Sequence, residues 1–143
     1  RFLMRIELGY PDRDAEHQLL SGSNPRERLH ALPVSLGPEE LLALQAEIGK
    51  VHAAPPLIDY VQALVEQTRH DPAFIHGLSP RAALAMLAAG RAWAFMEGRD
   101  MVLPEDIQAV FGSVAGHRLR LTQGNGHASA NSLADLIKRT PLP

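Results

Sequence analysis

The sequence has no cysteine among its 143 residues. Disulfide bonds, thiolate metal sites and cysteine nucleophiles are therefore excluded, and the composition is typical of a reducing compartment. No signal-peptide pattern is present, and no apolar run approaches the roughly 20 residues that span a bilayer. We therefore expect a cytoplasmic protein without a membrane span.

Aromatic residues and net positive charge are also scarce. Hydrophobic residues nevertheless make up 45% of the chain, which is enough to bury a core. Because most of them are Leu, Ala, Ile and Val, we predict a mainly α fold. The formal net charge is −2. Domains that bind nucleic acid usually carry a clear positive excess, so we expect no nucleic-acid partner.

Common motifs of catalysis are missing as well. G-x-x-x-x-G-K-[ST], G-x-G-x-x-G and G-x-S-x-G do not occur, so these residues carry no phosphate loop and no nucleophile elbow. The seven histidines form no H-x-H or H-E-x-x-H pair. We therefore predict no metal site.

The first 37 residues contain a strand and a short helix in our interpretation. Apolar residues alternate from the start of RFLMRIELGY, which predicts a strand over residues 2–8. A strand that begins a chain so abruptly is expected to have belonged to a larger sheet, unless the terminus was trimmed without consequence. A helix is predicted from about residue 13 to residue 20, and residues 21–37 have the composition of a long loop.

The rest of the chain predicts a compact bundle of about four helices. Two of its helices begin with proline followed by acidic residues, at Pro38 and at Pro104, where anions suit the helix dipole. Ser132 is the expected cap of a last short helix. The apolar faces are Leu41, Leu44, Ile48 and Val51, then Ile58, Val61, Leu64 and Val65, then Ile107, Val110, Phe111 and Val114, and last Leu133, Leu136 and Ile137.

One predicted helix, over residues 79–97, is apolar nearly all round, which is typical of a central helix packed on several sides. Its alanines and Gly90 would let neighbouring helices approach closely. Ser79 is its expected cap and Pro80 its first residue, so Arg81 lies in the first turn. A cation there opposes the helix dipole at a cost of about 0.3–1 kcal/mol.

Two interpretations of Arg81 follow from this position. A bound phosphate would reverse the cost, because a guanidinium and the free N–H groups of a first turn both attract anions. Alternatively, Arg81 is an exposed arginine that pairs with a nearby carboxylate or with nothing, and position alone favours this second interpretation. The basic cluster GHRLRL, residues 116–121, could contact phosphates too, but it suits a helix C terminus equally well.

Taken together, these stretches resemble the MoxR family of AAA+ ATPases over nearly the whole chain. The last strand of that family's ATPase core resembles RFLMRIELGYPD, and its first long lid segment resembles YVQALVEQTRH. The sensor 2 helix and the residues after it are very similar to GLSPRAALAMLAAGRAWAFMEGRDMVLPEDIQAVFGSVAGHRL, and the proline-ended tail resembles LIKRTPLP. One departure is Leu103, which precedes PEDI where a capping Ser or Thr would be expected.

The resemblance gives Arg81 a role. It matches the sensor 2 arginine of the family's G-x-S-P-R-A pattern, which contacts the phosphates of the nucleotide. Arg1 matches the arginine of D-R-F, the arginine finger of related ATPases, which would act on the nucleotide of a neighbouring subunit. The phosphate loop and the Mg-binding acids would lie upstream of residue 1. ATP and Mg are thus implied for a full-length parent, and no cofactor is expected on this chain alone.

The resemblance also implies domains and partners. Residues 1–36 would be the C-terminal end of the ATPase core and a linker, and residues 37–143 the helical lid. The parent would hydrolyse ATP as a ring, expected to be a hexamer, in chaperone-like maturation of other proteins. Partners with von Willebrand factor A domains are typical of the family.

Three alternatives remain open from the residues alone. The chain could be a stand-alone helical interaction module without nucleotide chemistry. It could be a nucleic-acid-binding domain that uses GHRLRL and Arg91, although the slightly acidic balance opposes this. A complete small enzyme is the least favoured, because no catalytic constellation is present.

Overall fold

A computed structural model describes residues 2–22, 29–30, 32–124 and 126–142. Most of these residues are helical, which confirms the mainly α fold. No helix in this part of the chain is both long and apolar enough to cross a membrane. The helices are α1 (Arg13–Ser21), α2 (Pro38–Lys50), α3 (Pro55–His70), α4 (Pro80–Met96), α5 (Pro104–Ala115) and α6 (Ala130–Arg139).

The chain forms two compact units. One contains residues 7–44, with α1 and the first half of α2, and the other contains residues 1–6 and 45–143. Within the first unit, the Asp12 carboxylate accepts a hydrogen bond from the N–H of Ala15 at 2.8 Å and so caps α1. The Glu40 carboxylate accepts one from the N–H of Gly37 at 2.7 Å, at the start of α2. The domain boundary after residue 36 stays a prediction.

The strand predicted over residues 2–8 is not formed. These residues adopt neither a helix nor a paired strand. Of the predicted strand and helix in the first 36 residues, only the helix, α1, is therefore found. A strand requires the edge of another strand for its hydrogen bonds. The described residues offer only isolated bridges, between His52 and Met101, Phe74 and Leu121, and Arg120 and His127.

The core of the larger unit is centred on α4 and α5, which share the most extensive helix–helix contact. Gly90 makes this closeness possible, as predicted: a Cβ atom there would lie 2.6 Å from Cδ1 of Ile107. The predicted face of α5 is buried throughout, and so are most of the alanines of α4. These core residues include Ala82, Ala85, Met86, Ala89, Ala94, Ile107, Val110, Phe111 and Val114.

α4 packs against both α3 and α5, but part of its apolar surface stays exposed. Leu84 and Met96 are 69% and 77% exposed, because α3 and α5 cover one side of α4 and leave the other to solvent. Of the predicted face of α2, Leu41 and Leu44 are exposed, and Val51, which follows the last residue of the helix, is buried. Apolar periodicity therefore identified the helices but overestimated how much of each is covered.

The missing cap at Leu103 is compensated from inside α5. The buried carboxylate of Asp106 accepts a hydrogen bond from the N–H of Leu103 at 2.8 Å. It also pairs with Arg99, which satisfies its second oxygen. α6, by contrast, begins earlier than predicted. Its cap is Ser129, whose Oγ accepts from the N–H of Ser132 at 3.2 Å, because the helix already includes Ala130.

The end of α3 fixes the start of α4. Thr68 is fully buried, donates to the carbonyl of Val65 at 2.6 Å and accepts from the N–H of Leu78 at 2.9 Å. Nε of Arg69 donates to the carbonyl of Leu78 at 3.0 Å. Gly77 packs directly on Arg69, since a Cβ atom at Gly77 would lie 2.5 Å from the Cα of Arg69. The chain just before α4 is thus held through both the N–H and the carbonyl of Leu78.

The C-terminal helix is tied to the same end of α3. Nη2 of Arg139 donates to the Asp71 carboxylate at 2.8 Å, and Gln67 donates to the carbonyl of Arg139 at 2.9 Å. The hydrogen bond that Asp71 accepts from the N–H of Ala73, together with the Arg139 bond, lowers the pKa of the Asp71 carboxyl. Thr140 closes α6 by donating to the carbonyl of Leu136 at 2.9 Å.

Gly77→Ala should destabilise the chain by about 2 kcal/mol, because the new methyl group meets backbone atoms that cannot move aside cheaply. Gly112→Ala is the matched control: it lies inside α5 with no atom within 4 Å of the added carbon. The control should gain up to about 1 kcal/mol from helix propensity. Urea unfolding followed by circular dichroism measures both changes. Equal stability of the two variants would contradict the close packing of Gly77 on the backbone of Arg69.

Asp71→Asn should lower the free energy of unfolding at neutral pH by about 1 kcal/mol, because it removes the charge that pairs with Arg139. The folded-state pKa of Asp71 lies below its ordinary value of 3.8, so this stability is present above that pH and is lost as the pH falls through the folded-state pKa. The difference from wild type should therefore shrink in acid.

Unfolding titrations at a series of pH values measure this dependence. Asp59→Asn, on the exposed side of α3, serves as the control. A wild-type advantage over Asp71→Asn that persists unchanged at the acid end would rule out the ion pair as its source.

Candidate functional site

Arg81 lies in the first turn of α4, where the sequence predicted it. Oγ of Ser79 accepts a hydrogen bond from the N–H of Ala82 at 3.3 Å, and the Ser79 carbonyl receives the N–H groups of Ala82 and Ala83. The N–H of Arg81 has no acceptor within its own helix, as is usual at this position. The Arg81 side chain is exposed and makes no hydrogen bond or ion pair with the described residues. The pairing with a nearby carboxylate is therefore not found in that part of the chain.

A cleft of about 800 Å³ opens beside Arg81. One wall is the start of α4 with the residues before it, from Gly77 to Ala85. The other is formed by Phe2, Leu3 and Arg118. The volume is in the range of small-molecule sites, and the wall that contains Arg81 combines a guanidinium with the positive end of a helix dipole.

Arg118 reaches the same cleft from the other side. Its guanidinium donates to the carbonyl of Val114, in the last turn of α5, and to the carbonyl of Phe2 at 2.6 Å. GHRLRL therefore includes a cation at a helix C terminus, as one of our two interpretations held. Burial lowers the pKa of Arg118. Sequence periodicity gave no signal that Arg118 and Arg81 would line one cleft, because 36 positions of chain separate them.

His117 lies next to this cation. Its Nδ1 is 3.1 Å from the carbonyl of Ser113. Burial, followed by the positive charge of Arg118, lowers the pKa of His117. The neutral imidazole is therefore favoured in the folded chain, and positive potential at this end of α5 comes from arginine.

Of the remaining candidate residues, the described ones do not line the cleft. Arg1 lies outside the described residues. Arg91 is half-buried on α4, and its Nε is buried without a hydrogen-bond partner among the described residues, which differs from the exposed cations of a nucleic-acid surface. Arg120 is exposed, with its backbone in the bridge to His127. In the part of the chain that the structure describes, no three His, Asp or Glu residues are grouped to hold a metal ion.

The geometry suits an anion better than any acid–base chemistry. Arg81 offers its guanidinium at a first turn whose N–H groups are not all used, whereas Arg118, on the same cleft, already donates to two backbone carbonyls. Carboxylates are absent from the described residues that line the cleft. A phosphate group matches this arrangement, because a guanidinium binds two phosphate oxygens at once and a helix N terminus attracts the negative charge.

A family model described as "AAA lid domain" matches residues 66–138, which is about half of the chain. The match includes the end of α3, the whole of α4 and α5 with the connections around them, and nearly all of α6. Arg81, Arg118 and Leu78 thus fall inside it.

Individual relatives agree with this family. The chain is 34% identical to "Chaperone MoxR1" of Mycobacterium tuberculosis and 32% identical to "Protein MoxR" of Paracoccus denitrificans, in each case over 85% of this chain. The protein YeaC of Bacillus subtilis is 32% identical over the same share. The chain spans only 34%, 42% and 38% of the length of these three proteins, respectively.

A solved structure agrees as well. The crystal structure of a candidate ATPase from Cytophaga hutchinsonii matches 99% of this chain and 46% of its own, with 28% sequence identity and a TM-score of 0.75. The family model, the relatives and this fold are consistent with one another. The chain therefore belongs to the AAA lid domain family, in the form found in MoxR-type AAA+ ATPases.

Proposed function

We propose that this chain is the lid of an ATPase in which Arg81 acts as the sensor 2 residue and contacts the phosphates of ATP. One observation carries the proposal. Arg81 lies in the first turn of α4, exposed on a cleft of about 800 Å³, and has no partner among the described residues. Without a ligand this placement opposes the helix dipole, and a bound phosphate converts the cost into an attraction.

The full-length protein would supply the rest of the site. The described residues contain no metal cluster, so the Mg²⁺ that accompanies ATP would be held by residues outside them. Bound Mg²⁺ and ATP supply the phosphoryl group and the neutralising charge. Arg81 would orient the phosphates and balance the charge that develops on them. Residues 1–143 alone should show no turnover, since a single arginine does not make a nucleotide site.

The family supports a proposal for the wider activity of the full-length protein. We propose that the full-length protein assembles as a cytoplasmic ring, with six subunits expected, and that ATP turnover drives chaperone-like maturation of partner proteins. Proteins with von Willebrand factor A domains are the proposed partners. Arg1 is the proposed arginine finger, which would act on the nucleotide of the neighbouring subunit.

A second candidate function is a helical interaction module without nucleotide chemistry. An apolar groove between α3 and α4 favours it, with a volume of about 440 Å³. Exposed Ile58 and Leu84 lie in this groove together with Val61 and Leu87. The two functions make opposite predictions for Arg81, because the groove does not include it.

Arg81→Ala in the full-length protein should reduce ATP turnover by about 10- to 100-fold, because it removes a charge-assisted hydrogen bond to phosphate. Steady-state ATPase assays on wild type and variant measure the change, and gel filtration verifies that assembly is retained. Arg81→Lys should lie between them, since an ammonium keeps the charge but not the bidentate geometry.

Arg120→Ala is the matched control, because Arg120 is also exposed and lies outside the cleft. Its turnover should equal that of wild type. An Arg81→Ala variant that assembles normally and hydrolyses ATP as fast as Arg120→Ala would sink the sensor 2 role and favour the interaction module.

A further inference from the structure

Residues 2–6 are attached to the lid at the C-terminal end of α5. The N–H of Arg5 donates to the carbonyl of Ser113 at 2.9 Å, and the carbonyl of Phe2 accepts from Nη2 of Arg118 at 2.6 Å. Met4, between them, packs against the hydrophobic core of the lid. These residues belong to the same compact unit as α3 to α6, although some forty residues of chain intervene.

The side chain of Arg118 connects residues 2–6 to α5. One terminal nitrogen of its guanidinium donates to the carbonyl of Val114 in α5, and the other donates to Phe2. The last carbonyls of a helix have no N–H partner within it, and they form the negative end of its dipole. A planar guanidinium can satisfy such a carbonyl and hold a second segment at the same time, whereas an ammonium on a flexible stem provides no fixed fork.

The segment held in this way forms a wall of the cleft. Phe2 and Leu3 line it together with the start of α4, which carries Arg81. Arg118 therefore connects one wall to α5, while α5 packs along α4, from which Arg81 projects. Residues 2–6 have no strand or helix of their own, so this connection holds them together with the Arg5–Ser113 hydrogen bond and the packing of Met4.

We propose that Arg118 is a positioning residue of the cleft: it latches residues 2–6 to the C-terminal end of α5 and so sets the separation of Phe2 and Leu3 from Arg81. This proposal rests on the function proposed above. The guanidinium of Arg118 already donates to two backbone carbonyls. It therefore contributes to turnover by holding Phe2 and Leu3 at a fixed distance from Arg81, and not by binding phosphate. Mutation should then lower kcat and leave nucleotide affinity nearly unchanged.

The test uses the full-length protein with Arg118→Ala, Arg118→Lys and the control Arg120→Ala, which changes an exposed arginine two positions away. Two quantities are measured: kcat against the Kd for ATP, and hydrogen–deuterium exchange at the amide of Arg5. In Arg118→Ala, kcat should fall about 10-fold while the Kd for ATP stays within about twofold, and exchange at Arg5 should accelerate about 10-fold or more. Arg118→Lys should lie between this variant and wild type.

The outcomes separate the two proposals. If Arg81→Ala is impaired but Arg118→Ala matches Arg120→Ala in kcat, the positioning role is overturned and the sensor 2 role stands. The positioning role is also overturned if exchange at Arg5 accelerates without any change in kcat, since the latch would then be structural. If Arg81→Ala is unimpaired, the sensor 2 role is overturned, and the positioning role that rests on it is overturned as well. If Arg118→Ala does not fold, Arg118→Lys carries the test, and wild-type kcat in that variant overturns the proposal.

Discussion

Two hydrogen bonds to the backbone of Leu78 fix the start of α4, and the candidate site depends on them. The buried hydroxyl of Thr68 accepts from its N–H, and Nε of Arg69 donates to its carbonyl. Unpaired buried backbone groups cost about 1–3 kcal/mol each, so these bonds strongly favour one path for the chain. Gly77 adds a steric constraint, because only a residue without a Cβ atom can lie against Arg69 here. The helix that carries Arg81 therefore starts from a fixed point on α3.

Because α4 packs along α5, fixing the start of α4 also fixes the position of α5, whose C-terminal end carries Arg118. Gly90 lets Ile107 approach the axis of α4, and Asp106 holds the first turn of α5 through Leu103 and Arg99. The two helices thus pack closely, with the first turn of α4 at one end and the last carbonyls of α5, which accept from Arg5 and Arg118, at the other. An arginine near each of these ends lines the same cleft: Arg81 at the start of α4 and Arg118 just after α5.

The two arginines illustrate how the same residue type serves different physical purposes. Arg118 lies at the negative end of a helix dipole and bonds carbonyls, so its position is favourable without any ligand. Arg81 lies at the positive end and bonds nothing among the described residues, so its position makes sense when an anion is bound. This contrast is the reason why Arg81 is proposed to bind phosphate and Arg118 is proposed to position the cleft.

The sequence by itself determined the helices, most of their starts and the first-turn position of Arg81. Proline, acidic residues and apolar spacing are local signals, and a first-turn arginine is visible without knowing what surrounds it. Only the tertiary structure decided the rest. It placed Phe2 on a cleft instead of in a strand, exposed Leu84, moved the cap of α6 to Ser129 and brought Arg118 opposite Arg81. These outcomes depend on partners distant in sequence, which periodicity cannot identify.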